Sequence, residues 1–181
     1  MIAILAASLL GFVSASVPAL STDEVGKVPL SLREEVQRLS RGNCPENWIE
    51  ASFVDMGCLY FNSTKALPSW DDTITTCQIA TPNSTLVEIM TEQQMAFIQM
   101  EIDVLADHEG ARHWWTSATD AGINGKWFWA ASLAPVEDYV WHTGYPKNEA
   151  ANNCMMLHSS YRAGYNIGCD YPSAYPICQL R

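Results

Sequence analysis

Hydrophobic residues recur with a helical period in the first half of the chain, and this period disappears in the second half. Thr91 and Gln94 form a capping box that predicts the start of one helix. Four apolar residues then share one face of that helix: Met95, Ile98, Ile102 and Leu105. An earlier helix is expected over residues 70–79, because Asp71 and Asp72 favour a helix N-terminus there.

Short runs of aromatic and β-branched residues predict the strands. Strands at 53–54 and 58–61 are expected to pair, closed by one local disulfide, and 86–89 alternates as a third strand. Four more strands are expected in the second half, at 114–116, 127–129, 154–157 and 175–178. The sequence therefore predicts an α+β domain with its helices first and an antiparallel sheet afterwards.

Residues 141–169 form the stretch that we expect to carry the binding surface. Asn, Gly and Pro residues lie there between aromatic and apolar anchors, which is typical of irregular backbone that presents amides and carbonyls outward. Before Cys169 this stretch contains a single carboxylate, Glu149, and it has Lys147 near its start. The expected binding loop is therefore poor in negative charge.

Length and charge exclude several classes of function. The chain has 181 residues and a net charge of -10, and it has no basic cluster that could match a phosphate backbone. Nucleic acid is therefore not expected as a partner, and the negative charge disfavours anionic membrane surfaces. The length indicates one globular domain with a short additional region.

Residues 1–15 are typical of an export signal. An apolar run ends at Val13-Ser14-Ala15, which matches a small-x-small cleavage pattern. The alternative is a membrane anchor, but the run is shorter than the roughly 20 apolar residues of a span, and Pro18 follows it. We expect a secreted, extracellular protein with no membrane span in the mature chain.

Residues 16–43 are expected to form a linker before the main domain, which covers residues 44–181. Leu32, Val36 and Leu39 recur there at helical spacing, and Arg38 lies late in the same stretch, as the helix dipole favours. A helix this short is marginal alone. It is expected to be either a frayed linker helix or a neck that supports weak self-association through Leu32, Val36 and Leu39.

An even number of cysteines in an exported chain predicts a full set of disulfides. The six residues are Cys44, Cys58, Cys77, Cys154, Cys169 and Cys178. Their spacing lacks the C-x-x-C pairs of a zinc site. Two sequons, at Asn62 and Asn83, predict N-glycosylation of surface loops.

An ordered set of motifs resembles the long form of the C-type lectin-like domain. The set comprises Cys44-Pro45-x-x-Trp48, Trp70 with Cys77, Leu86-Val87-Glu88-Ile89, Gln93/Gln94 before Phe97-Ile98, Trp114-Trp115-Thr116-Ser117, Trp127-x-Trp129, Trp141-x-x-Gly144-x-Pro146, Asn153-Cys154 and Tyr175-Pro176-Ile177-Cys178. The Trp-Thr-Ser variant and the Tyr-Pro-Ile-Cys-Gln ending resemble invertebrate members of this family, particularly those of arthropods.

The resemblance implies a C-type lectin-like fold. In this fold two helices pack on small antiparallel sheets, beside a long irregular loop region and three disulfides. It also implies a pairing that the sequence alone cannot choose: Cys44 with Cys58, Cys77 with Cys178, and Cys154 with Cys169. A cis peptide bond is implied before Pro146.

Sugar-binding members of this family hold a Ca²⁺ ion largely through carboxylates, and this chain lacks them at the matching positions. Those positions are Tyr145, Lys147, Asn152, Tyr165 and Asn166. Ca²⁺ takes six to eight oxygen ligands, several of them from carboxylates, and the Lys147 ammonium would repel it. The resemblance therefore implies a recognition site that works with no cofactor.

Two alternatives retain some capacity for Ca²⁺. A shifted register of the loop would recruit Asn148 and Glu149 as ligands. Asp120 and Asn124 lie near the auxiliary calcium site of the family, with Asn148 and Asn153 as partners, although amides replace acids there.

Other polar groups do not predict a catalytic or metal site. His108 and His113 flank Glu109, but no third ligand follows in a tight pattern, so we expect solvated surface histidines. No Ser, Cys or His constellation resembles an activated nucleophile. We therefore expect that the protein is not an enzyme.

The first hypothesis is a non-catalytic module that binds a glycan or an extracellular protein without Ca²⁺ through residues 141–169. The expected ligand-binding residues are Tyr145, Lys147, Asn148, Glu149, Asn152 and Asn166. The second hypothesis is a Ca²⁺-dependent carbohydrate-binding lectin with a degenerate site, which would fit an innate-immune role. A secreted hydrolase is a distant third.

Overall fold

The computed structural model describes residues 44–109 and 112–181. Its strands and helices are β1 (Ile49–Glu50), β2 (Cys58–Phe61), α1 (Trp70–Ala80), β3 (Thr85–Leu86), α2 (Glu92–Glu109), β4 (His113–Thr119), β5 (Phe128–Trp129), β6 (Cys154–His158), β7 (Ala163–Ile167) and β8 (Tyr175–Leu180). The predicted signal at 1–15 and the linker at 16–43, with Leu32, Val36 and Leu39, lie outside the described residues.

Local side-chain hydrogen bonds explain where both helices begin. The Ser69 side chain accepts a hydrogen bond from the Asp72 N–H at 3.1 Å and caps α1. Thr91 Oγ1 accepts one from the Gln94 N–H at 3.1 Å, and Gln94 Oε1 accepts one from the Met90 N–H at 2.6 Å. The predicted Thr91 cap of α2 is therefore confirmed, whereas the return bond of Gln94 goes to the Met90 N–H and not to that of Thr91.

The strands form one sheet in the order β1, β2, β8, β4, β6, β7, with β3 added beside β8 and β5 beside β4. All pairs are antiparallel except β4 with β8, which pair in parallel through Trp114 opposite Tyr175. The last strand pairs antiparallel with β2 and β3 and returns to the middle of the sheet, where it runs alongside β4. The α+β fold with two helices is confirmed.

Besides a smaller cluster that includes Cys77 of α1 and Trp115, the main hydrophobic core lies between α2 and the sheet. Its largest fully buried side chains include Leu59, Ile89, Ile98, Trp114, Trp129, Met155 and Leu157. In the described part of the chain, no helix is both long and apolar enough to cross a bilayer.

The strand predicted at 53–54 is wrong. Ser52–Val54 forms a short 3-10 helix, and β2 pairs instead with β1. Asp55 and Gly57 have φ angles of 59° and 68°, which interrupt extended backbone and turn the chain into β2. The strand predicted at 86–89 is shorter than expected, because the Glu88 N–H donates to the Gln179 side chain at 3.0 Å.

Three disulfides cross-link the fold, and their pairing is the one that the resemblance implied. Cys44 pairs with Cys58, Cys77 with Cys178, and Cys154 with Cys169. The peptide bond before Pro146 is cis, as expected. Of the two sequons, Asn62 is half-buried after β2 and Asn83 is exposed between α1 and β3. Their glycosylation stays a prediction.

Candidate functional site

The long loop between β5 and β6 is supported by a hairpin that crosses the predicted binding stretch. β6 and β7 pair from Cys154 opposite Ile167 to His158 opposite Ala163, and the Cys154–Cys169 disulfide closes the open end. The sequence did not predict β7, because its Ala, Gly and Asn residues are poor strand formers. Pairing with β6 imposes the strand.

Asn166, on β7, holds the long loop from within. Its side chain is only 3% exposed. Oδ1 accepts a hydrogen bond from the Lys147 N–H at 2.8 Å, while Nδ2 donates to the Lys147 carbonyl at 2.8 Å and to the Asn152 carbonyl at 3.1 Å. Because both polar atoms of the amide are engaged, Asn166 positions the loop and presents no free group to a ligand.

The Lys147 side chain is exposed to solvent, while Asn166 holds its backbone. Its backbone is fixed by Asn166, and its Nζ lies 5.0 Å from the centre of the Tyr145 ring. Tyr145 in turn packs edge-on against Tyr165, with ring centres 6.0 Å apart. The ammonium group therefore rests on an aromatic support, which is a cation–π arrangement.

The remaining predicted ligand-binding residues each make a side-chain hydrogen bond at the loop surface. Glu149 Oε2 accepts a hydrogen bond from Asn152 Nδ2 at 2.5 Å. Asn148 Oδ1 accepts one from Asn124 Nδ2 at 3.3 Å, which connects the long loop to the turn after β4. The structure therefore places five of the six predicted residues in the long loop, and Asn166 on β7 contacts the inner side of that loop.

A cavity of about 380 Å³ opens beside this loop, and we call it the Pro146 cavity. It is lined by Asp120, Asn124, Gly125, Trp127, Pro146, Lys147 and Asn148. The sequence analysis placed Trp127 in a strand and considered Asp120 and Asn124 only as calcium ligands. The turn after β4 is far from the long loop in sequence, so their meeting could not be predicted from local pattern.

Asp120 is the buried polar group of the Pro146 cavity. The residue is 4% exposed. Its Oδ2 accepts a hydrogen bond from the Gly125 N–H at 2.7 Å, whereas its Oδ1 has no hydrogen-bond partner in the described part of the chain. A buried carboxylate oxygen without a partner is costly. The cavity therefore has an acceptor that a donor from a ligand would satisfy.

The residues at the family's main calcium position do not fit Ca²⁺. No carboxylate is present there, and the Asn166 amide is occupied by the backbone of Lys147. The Tyr165 hydroxyl lies 2.7 Å from His113 Nδ1, and burial first, then neighbouring tyrosines, raise the pKa of Tyr165, so it stays neutral. Neutral oxygens beside an ammonium do not replace the carboxylates that Ca²⁺ requires.

The auxiliary position also fits Ca²⁺ poorly. Asp120 is its only carboxylate, and the Asn124 and Asn148 amides bond to each other. Within the described residues, the one group of three His, Cys, Asp or Glu donors with metal-like spacing is Cys44, Glu50 and Cys58. Those two cysteines already form a disulfide.

A cluster of histidine and tyrosine rings lies behind the long loop. His113 and His158 face each other across β4 and β6 with ring centres 4.7 Å apart. Tyr161 stacks on His158 at 4.5 Å and on His142 at 4.8 Å. Burial lowers the pKa of His113 and His158, with smaller effects from nearby cations. His113 is thus half-buried among rings and is not the solvated histidine that we expected.

The fold, the three disulfides and the long loop define a C-type lectin-like protein. The family model described as the lectin C-type domain matches residues 67–180. Since this match covers more than half of the chain, the chain belongs to the C-type lectin domain family. Members of this family are generally non-catalytic recognition proteins of glycans or proteins and are often extracellular.

The similar proteins agree with this assignment. CD209 antigen-like protein 2 of Macaca mulatta is 24% identical over 159 residues, which are 87% of this chain and 56% of that protein. The chain therefore spans about half the length of this relative. The structure of human lithostathine has a TM-score of 0.64 at 23% identity, covering 79% of this chain and 94% of that one. A calcium-independent type II antifreeze protein has a TM-score of 0.60 at 19% identity, covering 76% and 93%.

Proposed function

We propose that this protein is a secreted, non-catalytic recognition module that binds a glycan without Ca²⁺ in the Pro146 cavity. The observation that carries the proposal is the buried Asp120 Oδ1, which has no hydrogen-bond partner among the described residues and belongs to a cavity also lined by Lys147 and Asn148. A sugar offers adjacent hydroxyl groups that donate to a carboxylate and accept from Lys147 or Asn148. The Trp127 side chain supplies an apolar wall for the sugar ring.

The residues that line the Pro146 cavity also support binding without Ca²⁺. In this chain the Lys147 ammonium and the Asp120 carboxylate carry the charge of the cavity, so a sugar hydroxyl meets fixed charges of both signs. One fold neighbour, an antifreeze protein, is described as calcium-independent. Lys147, Asn148 and Asp120 are the proposed direct contacts, with Tyr145, Glu149, Asn152 and Asn166 shaping the loop.

The experiment is a glycan array probed in the presence of chelator and again in the presence of Ca²⁺, followed by calorimetric titration of the best ligand. Asp120→Asn keeps the size of the side chain and an acceptor for the Gly125 N–H. It replaces the unpartnered oxygen with a donor, so affinity should fall by about tenfold or more. Glu137→Gln, an exposed change outside the cavity, should bind normally. Binding that requires Ca²⁺, or equal affinity of both variants, would refute the proposal.

A protein ligand is the second candidate. The Ile123 side chain is 57% exposed and lies next to Asn124 at the edge of the cavity. A protein that covers the Pro146 cavity would also contact this exposed apolar side chain. Ile123→Ser should weaken binding to a protein ligand and leave glycan binding unchanged, which separates the two functions.

A further inference from the structure

A second cavity lies between α1 and the sheet and shares no lining residue with the Pro146 cavity. Its volume is about 210 Å³. Its apolar lining residues are Trp70, Ile74, Leu86, Ala130 and Ala131, and its polar lining residues are Gln78, Thr85 and Ser117. We call this cavity the α1 groove.

The walls of the α1 groove are fixed by hydrogen bonds. Trp70 Nε1 donates to the Thr116 carbonyl at 2.7 Å, which holds the indole against the sheet. On the opposite wall, Glu88 Oε1 accepts from the Ala131 N–H at 3.0 Å and the Ser132 N–H at 2.9 Å. The small side chain of Ala131 leaves the space open. The groove is therefore formed before any ligand arrives.

Ser117 gives the groove one buried polar group. The residue is 3% exposed, and its backbone is paired with Val87 at 3.0 Å and Ala130 at 3.1 Å. Its Oγ has no hydrogen-bond partner in the part of the chain that the structure describes. Since a buried hydroxyl without a partner is costly, a ligand with a matching polar group would gain free energy there.

The size and charge of the groove restrict the ligand. An apolar cavity of about 150 Å³ in another protein takes up benzene. The α1 groove is somewhat larger, so it has room for one aromatic ring and a hydroxyl group. No ionisable side chain lines it, which disfavours a charged ligand.

We propose that the α1 groove is a binding site for a small neutral phenol. The aromatic ring packs between Trp70, Ile74 and the alanine wall, and the phenolic hydroxyl pairs with Ser117 Oγ. This site is independent of the glycan proposal, because the two cavities have no residue in common.

The first test compares p-cresol with toluene by calorimetric titration of the whole chain. Both rings have the same size, and p-cresol adds the hydroxyl. The hydrogen bond to Ser117 should make p-cresol bind about fivefold to tenfold more tightly than toluene. In Ser117→Ala this ratio should fall to about one, since the acceptor is lost. A ratio that is unchanged in Ser117→Ala would overturn the proposal.

The second test blocks the groove. Ala131 is exposed at the rim of the groove, so Ala131→Leu should fill the space without disturbing the core. Binding of both ligands should be lost while the melting temperature stays within a few degrees of that of the parent. Ala96→Leu, at an exposed position of α2, is the matched control and should bind p-cresol normally. Absence of saturable p-cresol binding to the parent chain, or full binding to Ala131→Leu, would contradict the assignment.

Discussion

At the scale of the residue, the shape of the long loop depends on Asn166. Asn166→Ala would leave the Lys147 N–H and two carbonyls without their partner. We expect the free energy of unfolding to fall by about 2 kcal/mol. Asn148→Ala, which removes an exposed side chain, should change it by less than about 0.5 kcal/mol. Denaturant unfolding measures both, and equal losses would show that Asn166 does not have this role.

Glu88 is a second residue whose buried contacts contribute to the free energy of unfolding. Its side chain is 2% exposed and its Oε2 lies 3.2 Å from Arg181 Nη1, while Oε1 holds the segment after β5. Glu88→Gln keeps the shape and removes the charge, and should destabilise the fold by about 2 kcal/mol. The exposed change Glu137→Gln is the control in the same unfolding assay. A neutral result for Glu88→Gln would mean that the charge is not needed.

Single residues also show the limit of sequence reasoning. The sequence identified Lys147 and Asn166 as members of one loop, and the resemblance implied the disulfide pairs and the cis bond before Pro146. The inward orientation of Asn166 was not predictable, because its partner Lys147 lies 19 residues away. The meeting of Asp120 with the long loop is equally non-local.

At the scale of the element, β4 and β6 bring two histidines together. Burial first, and then nearby cations, lower the pKa of His113 and His158 from 6.5 in the folded state. The unfolded chain therefore binds more protons just below pH 6.5, so stability is full above this pH and falls as pH decreases through the folded pKa values. Burial raises the pKa of Glu101 from 4.5, which opposes this loss at the acidic end.

The check is the free energy of unfolding measured between pH 7.5 and 5.5 for the parent and for His158→Gln. The parent should lose stability as the pH falls, and His158→Gln should show a smaller loss because one of the two groups no longer titrates. The same loss in both chains would show that this histidine does not contribute.

Elements with a strong local signal were predicted, including both helices and the strands β2, β4, β6 and β8, whereas β7 was not. The second helix, α2, begins at its predicted cap, Thr91, and α1 begins beside the predicted Asp71 and Asp72, although its cap, Ser69, was not predicted. β7 was missed because only pairing with β6 makes Ala163–Ile167 extended. The parallel contact of β4 with β8 likewise depends on where the last strand enters the sheet.

At the scale of the whole molecule, the Cys77–Cys178 disulfide joins α1 to the final strand across a sequence separation of 101 residues. Replacing both cysteines with alanine should destabilise the fold by about 4 to 5 kcal/mol in the chain-entropy model. The same change at Cys44 and Cys58, separated by 14 residues, should cost about 3 kcal/mol. Denaturant unfolding of the two double variants gives the order, and a larger loss for the short loop would contradict it.

The most direct test of calcium-independent recognition is calorimetric titration of the chelator-treated chain with Ca²⁺. The donor set around Pro146 has one carboxylate and a nearby ammonium, so we predict no saturable heat at Ca²⁺ concentrations up to about 1 mM, the weak end for extracellular calcium modules. Saturable binding in the micromolar range that chelator reverses would contradict the account.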